Sequence, residues 1–409
     1  MALFAVLDIG GLFIWEVERL HKVHGPIVRI SPREAHLQDS DYYEEIYASS
    51  ARKREKDPVL VAQFGLDGSG FASIDAESHR QRRAPVERLF SKRAIENMEG
   101  LIHKVIDKPV YYVEEAHQSH SVVRLDAGFA ALTSDTIMNA VPIGILEKLN
   151  PPAFALASQK RTCTCEAKRG DISIDTPAAT AMPEHLRSPE RRMNESFALV
   201  VGGTETTART LAVGIWHIYT SEDIRRKLRE ELKTVMTPPD TQPSWNDLEK
   251  LPYLSGVISK SLRLSTGVAN RSPQAAPTEA LVYKGYTIPP GTPVSETHHL
   301  ILMDPEIFSS PDKFDPERWG RAAAKGMRLE KYLVNFFVEH IVDRFPSNVS
   351  SVWPMQSSSL VIGTMVRRFD IEMYPTPKAN IEFARVFGTP WPDKGGLSVQ
   401  ATITRVITE

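Results

Sequence analysis

The sequence Val200-Val201-Gly202-Gly203-Thr204-Glu205-Thr206-Thr207 lies inside a long, largely apolar stretch, residues 193–219, for which we predict a helix. Glycine costs about 1 kcal/mol relative to alanine inside a helix, so a glycine pair followed by threonines predicts a locally weak turn. A break of this kind is useful where a ligand approaches the backbone or where a hydroxyl must face a cavity. The alternative is a patch of small residues against which another helix packs closely.

Around this segment the chain is predominantly helical by pattern. The N-terminal helix at 12–24 is expected to place Phe13, Val17 and Leu20 on its buried face. Helix clearly outweighs strand, so we predict a mainly α fold with small β-sheets, of the α+β class. Further helices are predicted at 41–48, within 76–106, at 221–236 and after Pro252, and strands are predicted at 27–30 and 280–288, where Gly285 can turn a hairpin.

The composition indicates an ordinary soluble globular protein. Of 409 residues, 42% are hydrophobic and 24% charged, which excludes a wholly disordered chain and a polytopic membrane protein. The length alone favours two or three domains. The formal net charge is −2, which gives no electrostatic reason to expect a nucleic acid partner. With two cysteines there is no disulfide framework, and a reducing compartment is indicated.

The N-terminal run, residues 1–15, is apolar apart from Asp8 and is too short to span a bilayer. It lacks a basic leading region, which argues against a signal peptide. We therefore predict a segment that faces the core and leads into the first helix, with no transmembrane anchor. A truncated or interfacial membrane anchor is the alternative.

The glycine-pair segment resembles the oxygen-activation helix of the haem-thiolate monooxygenases, the cytochromes P450. The resemblance implies that Glu205 and Thr206 carry protons to the oxygen activated at the haem, and that Gly203 widens the turn above it. A short relay of hydroxyl and carboxylate suits proton delivery in a pocket that holds little water.

Three other segments carry the same resemblance. His79-Arg80-Gln81-Arg82-Arg83 is similar to the helix whose members hold a haem propionate, which implies that His79 and Arg83 bind the cofactor; a solvated basic helix face is the alternative. Asp315-Pro316-Glu317-Arg318-Trp319, preceded by residues 300–312, resembles the Pro-Glu-Arg-aromatic motif. Residues 360–409 resemble the last long helix and the terminal strands.

The resemblance covers most of residues 12–160, 193–334 and 360–409, with the fungal secondary-metabolism branch as the closest type. It implies one cytochrome P450-like domain over residues 1–409. Segments at about 161–190 and 335–359 are unmatched, so the fold is expected to be an incomplete version of the family's.

The first departure from the family concerns the haem ligand. A cysteine loop should follow Val334, yet residues 335–359 contain no cysteine. Cys163 and Cys165 lie upstream of the oxygen-activation helix, and a single Cys-x-Cys pair is a weak metal signal. His340 is a conceivable axial ligand, but imidazole would not supply the electron donation of a thiolate that favours O–O cleavage. No metal ligand is therefore predicted.

A second departure affects charge. The family's Glu-x-x-Arg motif falls at residues 260–263, where the glutamate position holds Lys260. Lys260, Arg263 and Arg318 would then form a cluster of three cations without the expected acid, and an uncompensated buried charge is costly.

A third departure affects the pocket. The stretch between Asn139 and Glu195 is too short for the helices that roof the substrate pocket in the family, and residues 161–189 match nothing there. Gln274 also stands where an arginine near the haem edge is expected. These differences put substrate recognition in doubt.

The codons of Trp353-Pro354-Met355-Gln356 suggest an origin for the unmatched segment. Read from the last base of the tryptophan codon, they encode Ala-x-Ala, in which x can be tyrosine. Ala-Tyr-Ala often follows the cysteine loop in this family. Our hypothesis is that residues 335–359 are an out-of-frame or unspliced version of that loop, which leaves open a pseudogene or an error in the gene structure.

By resemblance the gene encodes a monooxygenase of secondary metabolism that oxidises a small apolar metabolite. It would use haem and electrons from NADPH through a cytochrome P450 reductase, usually at the endoplasmic reticulum; without an anchor, a cytoplasmic location stays open. By its residues, this chain is predicted to be inactive and not to form a thiolate-ligated haem. The alternatives are a pseudoenzyme that binds an apolar ligand or a protein, and a chain that does not fold stably.

Overall fold

The computed structural model describes residues 10–48, 52–87, 91–140, 188–335, 349–393 and 395–408. Several sequence-based inferences lie outside these residues: the segment at 141–187 with Cys163 and Cys165, the stretch 336–348 with His340, and the first nine residues.

The helices account for most of the described chain, and the longest of them contains the glycine pair. They are α1 Phe13–His24, α2 Tyr43–Ile46, α3 Pro58–Ala62, α4 Ala76–Glu87, α5 Lys92–Asn97, α6 Glu99–Ser119, α7 Leu125–Ala140, α8 Pro189–Tyr219, α9 Glu222–Leu232, α10 Trp245–Leu248, α11 Pro252–Ser265, α12 His298–Leu302, α13 Arg318–Ala323 and α14 Val349–Arg368, with short 3₁₀ helices at Leu329–Tyr332 and Lys378–Asn380.

The strands are short and form small sheets. They are β1 Ile27–Arg29, β2 Ala35–Leu37, β3 Glu55–Lys56, β4 Val123–Arg124, β5 Gln274–Ala275, β6 Leu281–Tyr283, β7 Tyr286–Ile288, β8 Pro293–Ser295, β9 Phe369–Met373, β10 Arg385–Phe387, β11 Thr389–Trp391 and β12 Gln400–Val406. One sheet has the order β1-β2-β8-β5-β3, in which β2 and β8 are parallel. Another has the order β4-β12-β9, while β6–β7 and β10–β11 are hairpins.

The sequence patterns predicted these elements well. The α+β class is confirmed, and so are the helices around 12–24, 193–219 and 221–236 and the hairpin at 280–288. In that hairpin Lys284 and Gly285 turn the chain with φ of 45° and 87°, the left-handed region in which glycine carries no steric penalty.

The buried face of α1 was predicted correctly for Val17 and incorrectly for Phe13 and Leu20. The residues that α1 buries are Ile14, Val17 and His21, whereas Phe13 and Leu20 are half-buried. A histidine was not expected on that face, because its ring must find hydrogen-bond partners to be buried without a large cost.

The main core forms around α8, which packs against α7, α11 and α14. Leu211, Ala212 and Ile215 of α8 are fully buried there, together with apolar side chains of α6, α9, β9 and β12. A second core fills the space between α2, α12 and the β6–β7 hairpin. Among the residues described, none of the helices combines the length and apolarity that crossing a bilayer requires.

Candidate functional site

The glycine pair does not interrupt α8. Ser188 caps the helix by accepting a hydrogen bond from the Arg191 amide, Pro189 occupies its first turn, and the helix then runs continuously to Tyr219. The expectation of a break is therefore corrected, and the close-packing alternative is what the structure shows. A Cβ at position 203 would lie 2.6 Å from Cδ1 of Ile137 on α7, so glycine is what allows this approach.

The contact between the two helices, which we call the α7–α8 seam, comprises Thr133, Ile137, Gly203 and Thr204. The Thr133 hydroxyl lies 3.1 Å from the carbonyl of Thr204 and 2.8 Å from the carbonyl of Phe129 on its own helix, and it can donate its single proton to either. Among the described residues, no atom outside the neighbouring backbone of α8 lies within 4 Å of a Cβ built at Gly202. The two glycines thus have different surroundings although they are adjacent in sequence.

Glu205 and Thr206 are half-buried on the turn that follows. The Thr206 hydroxyl donates to the Gly202 carbonyl at 2.7 Å, one turn back along the same helix. Glu205 raises the pKa of the nearby Arg209, but the larger effect is burial, which lowers the pKa of Arg209 to about 10. Thr206 is thus bonded within α8, and Glu205 acts on Arg209 of the same helix.

A short polar chain continues from Thr206 to the end of α11. The Thr210 hydroxyl donates to the Thr206 carbonyl at 3.0 Å and shares a 2.8 Å hydrogen bond with the Ser265 hydroxyl. Arg209 donates to the carbonyls of Ser265 and Ile381. These bonds fix α8 against α11 with polar groups in an otherwise apolar core.

His79 and Arg83 lie one turn apart on α4, with His79 buried and Arg83 half-buried. The Nε of Arg83 is buried and has no partner among the described residues. The opposite face of α4 is exposed, as Arg80 shows by pairing with Glu77 at 2.7 Å. The solvated basic face and a buried face therefore coexist on this helix.

Arg83 lies beside the N-terminal part of α8, whereas Glu205 and Thr206 lie farther along that helix. Arg83 lies near Gly70, whose amide donates to the Glu195 carboxylate at 2.7 Å near the start of α8. Ten residues separate Glu195 from Glu205, or about 15 Å along the helix axis. The resemblance assigns both Arg83 and Glu205 to the haem site. Arg83 lies beside the part of α8 near Glu195, about three turns before Glu205.

Lys260, Arg263 and Arg318 do come together, and we call them the cation cluster. Lys260 and Arg263 are fully buried on α11 and both donate to the carbonyl of Pro311, Lys260 at 3.4 Å. Arg318, at the start of α13, donates to Ser310 and Ser309 at 3.2 and 3.4 Å. The three side chains therefore converge on residues 309–311.

The close approach of this segment to α11 depends on Gly256. Any Cβ at position 256 would overlap the carbonyl oxygen of Pro316. Glu317, the acid nearest in sequence to Arg318, points away: it is half exposed and pairs with Lys227 at 3.0 Å. Asp315 is likewise paired with Arg321. Neither carboxylate replaces the acid that the sequence lacks at position 260.

The electrostatics of the cation cluster follow from this arrangement. Burial, reinforced by the charges of Arg263 and Arg318, lowers the pKa of Lys260 from 10.5 to about 6. Burial and the Arg318 charge lower the pKa of Arg263 to about 9. The Arg263 guanidinium also lies over the Phe308 ring, 4.8 Å from its centroid, which offsets part of its desolvation.

Sequence reasoning missed a buried polar relay between α1 and the first sheet, which we call the histidine relay. His21 Nε2 and His36 Nδ1 are 2.7 Å apart, and His36 Nε2 lies 2.8 Å from the Thr297 hydroxyl. His21 Nδ1 lies 2.8 Å from the Gly25 carbonyl. Each histidine follows an apolar position in the pattern, but the sequence contains no signal that pairs two residues 15 positions apart.

Comparison with known proteins adds to this geometry. The family model for cytochrome P450 matches residues 181–336, which include α8, α11 and the cation cluster. Cytochrome P450 monooxygenase aflU of Aspergillus parasiticus is 34% identical, over 97% of this chain and 89% of that protein. The chain belongs to the cytochrome P450 family.

Two further relatives agree with this assignment. Conidiogenone synthase PchP450 of Penicillium rubens is 34% identical over 98% of this chain and 90% of that protein, and cytochrome P450 monooxygenase TRI4 of Trichoderma arundinaceum is 32% identical over 93% and 84%. The resemblance to fungal cytochromes P450 is thus confirmed. The alignment with the Aspergillus protein spans 446 residues, more than the 409 of this chain, so that relative has stretches without a counterpart here.

Cytochromes P450 use haem and receive electrons from a redox partner. The residues of this chain do not fit a thiolate-ligated haem. Its two cysteines, at 163 and 165, precede α8, and none follows. Asn335, where the cysteine loop should begin, turns inward instead and donates to the Leu262 carbonyl at 2.6 Å. In the part of the chain that the structure describes, no cluster of histidine, cysteine or carboxylate residues could hold a metal ion.

Proposed function

We propose that this chain, as its sequence stands, does not assemble a haem–thiolate centre and lacks the monooxygenase activity of its family. The observation that carries the proposal is the absence of any cysteine after residue 165. Haem iron needs a thiolate to donate the electron density that favours O–O cleavage in this class of enzyme. Glu205 and Thr206 would then have no bound oxygen to protonate.

The unmatched stretch has a structural signature that supports an origin outside the family's own loop. Both amide atoms of Gln356, the hydroxyls of Ser357 and Ser358, and Oδ1 of Asn335 are buried without partners among the described residues. Native cores contain few such groups, since each costs about 1–3 kcal/mol. From Leu360 onward, α14 instead contributes fully buried apolar side chains such as Leu360 and Ile362.

This boundary lies where the sequence resemblance resumes. We therefore propose that residues 335–359 replace a cysteine loop, and that a product with that loop restored would be a monooxygenase acting on a small apolar metabolite. Such a product would take its electrons from a cytochrome P450 reductase. His79 and Arg83 support the proposal, since the buried and unpartnered Arg83 Nε is a donor available to a propionate.

The spectroscopic test uses the full chain produced with excess haem precursor. After reduction and exposure to carbon monoxide, the parent chain should show no thiolate-type absorbance. The matched control is the same chain with residues 335–359 exchanged for the corresponding loop of the Aspergillus parasiticus relative. A thiolate-type spectrum from the parent chain would overturn the proposal, whereas gain of that spectrum only in the exchanged chain would support it.

The genetic test is to sequence the transcript across codons 139–195 and 335–360. A frame or splice form that encodes a cysteine loop would support a native monooxygenase. A transcript that matches the present chain would exclude it and leave a protein without the family's catalysis.

A non-catalytic, folded protein is the second candidate, and the continuous core around α8 favours it over a chain that does not fold. Fully buried Leu211, Ile215, Leu254 and Leu360 join three helices, α8, α11 and α14, without involving any residue predicted to bind haem. A cooperative thermal transition in haem-free protein would support this candidate. A gradual, non-cooperative loss of helical signal would contradict it.

A further inference from the structure

The cation cluster has more hydrogen-bond donors than acceptors in the part of the chain that the structure describes. The Lys260 ammonium offers three donors and has one partner, the Pro311 carbonyl, at 3.4 Å, which is long for such a bond. The Nε groups of Arg263 and Arg318 are buried and have no partner there. Donors of all three cations are therefore unsatisfied in the same place.

We propose that the cation cluster binds one small monovalent anion, of the size of chloride. An anion among these side chains would accept hydrogen bonds from Lys260 and from the unpartnered Nε groups. It would also supply the negative charge that the acids nearest in sequence do not, because Glu317 and Asp315 are engaged by Lys227 and Arg321. Buried charges are stabilised only when they are paired in this way.

The surroundings select for small size. Lys260 and Arg263 are fully buried, and Arg318 is only 7% exposed. The glycine at position 256 brings the Pro316 backbone directly onto α11. Little room is left for a polyatomic anion such as gluconate, whereas a halide needs only to separate Lys260 from the carbonyl to which it is loosely bound.

Binding of the anion is coupled to the charge of Lys260. Arg263 and Arg318 face Lys260 and disfavour its protonation, while Asp312 and Asp315 lie farther out and favour it more weakly. A bound anion would favour the protonated ammonium, so anion binding should be tighter at pH 6 than at pH 9.

The test measures the melting temperature of the full chain as sodium chloride replaces sodium gluconate at constant ionic strength. The parent chain should show a saturable rise of a few degrees at pH 6 and a smaller rise at pH 9. Lys260→Glu places a carboxylate in the cluster, so this variant should melt higher in gluconate and lose the chloride dependence. Lys260→Met should show a weaker dependence than the parent chain.

Lys250→Glu is the matched control, because it makes the same charge change at a side chain that is 70% exposed. It should keep the chloride response of the parent. A chloride response that is absent from the parent, or equal in the parent and Lys260→Glu, would overturn the proposal. Chloride NMR line widths provide a direct second measurement: excess broadening by the parent and not by Lys260→Glu supports the site, and no broadening by the parent refutes it.

Discussion

The α7–α8 seam and the cation cluster are both places where two segments approach closely around a glycine. At the seam Gly203 admits Ile137, and the Thr133 hydroxyl can donate to a carbonyl of α8. At the cluster Gly256 admits the Pro316 backbone, yet the side chains beside it are three cations whose hydrogen-bond partners among the described residues are neutral groups.

The difference shows that close packing and charge compensation are separate requirements. Both contacts satisfy the first, because each has a glycine where a side chain would collide. The seam also meets the second requirement, because its side chains are neutral and need no compensating charge. The cation cluster does not. A substitution can therefore be disruptive at one contact and stabilising at the other, depending on which requirement it changes.

The largest expected effect concerns Lys260. The pKa of Lys260 is about 6 in the folded chain, and its ordinary value of 10.5 applies in the unfolded chain. Between these two pH values the unfolded chain therefore binds more protons than the folded chain. The free energy of unfolding should therefore rise with pH from 6 to about 10. Lys260→Met should remove this rise and stabilise the chain by about 1–4 kcal/mol at pH 7. Urea unfolding at pH 6, 8 and 10 in chloride-free buffer measures both effects.

Lys250→Met is the control, since it removes an exposed ammonium and should leave the pH dependence unchanged. A parent chain whose free energy of unfolding is flat between pH 6 and 10 would show that the cluster is compensated, and the contrast with the seam would disappear.

A smaller effect is expected at the seam. Gly203→Ala adds a methyl group against the end of Ile137 and should destabilise the chain by about 1–3 kcal/mol. Gly202→Ala adds the same group to the same turn, where no described residue outside the neighbouring backbone of α8 lies within 4 Å. It should stabilise the chain by up to about 1 kcal/mol through helix propensity. Urea unfolding of the two variants, with the parent as reference, gives both values. Changes of the same sign would show that the packing at position 203 does not control stability.

The smallest effect concerns the histidine relay. Like the cation cluster it contains buried titratable groups, but the ring nitrogens of both histidines have hydrogen-bond partners. Burial lowers the pKa of His21, and burial together with the charges of His21 and Arg271 lowers that of His36. Arg271 is itself paired with Glu34 at 2.7 Å. Because both histidines are neutral when folded and gain protons when unfolded, stability should fall as the pH drops below 6.5.

His36→Gln should remove most of this acid sensitivity at a cost of about 1 kcal/mol at pH 8. Hydrogen exchange of the α1 amides, corrected for the pH dependence of intrinsic exchange rates, measures the acid sensitivity of this helix directly. His24→Gln, at an exposed position of the same helix, should leave the acid sensitivity intact. Equal behaviour of the two variants would show that the relay does not hold α1.

Much of the fold could be predicted because its helices follow the 3.6-residue period, and because glycine or proline marks some of their bounds, as Gly25 does for α1 and Pro252 for α11. The bounds of α1 and α8 came close to the predicted ones, and α11 begins at Pro252, beside the predicted start. The composition of the cation cluster could also be predicted, since it rests on the spacing from Lys260 to Arg263 and on a second motif.

Contacts between distant residues could not be predicted. The packing role of Gly203 depends on Ile137, 66 positions earlier, and the burial of His21 depends on His36 and Thr297. Local patterns indicate that a glycine or a histidine is unusual at such a position, but they do not identify its neighbour. The assignment of a proton-carrying role to Glu205 and Thr206 and of a cofactor-binding role to His79 and Arg83 stays a prediction.

Gly256 and Lys260 lie one turn apart on α11, but the two positions should tolerate substitution very differently during evolution. Substitution of Gly256 should not be tolerated, because every side chain would overlap the Pro316 carbonyl. Substitution of Lys260 should be tolerated, because removing the ammonium removes the free-energy cost of burying it. A descendant gene under selection only to stay folded would therefore keep its glycine long after it had exchanged its lysine.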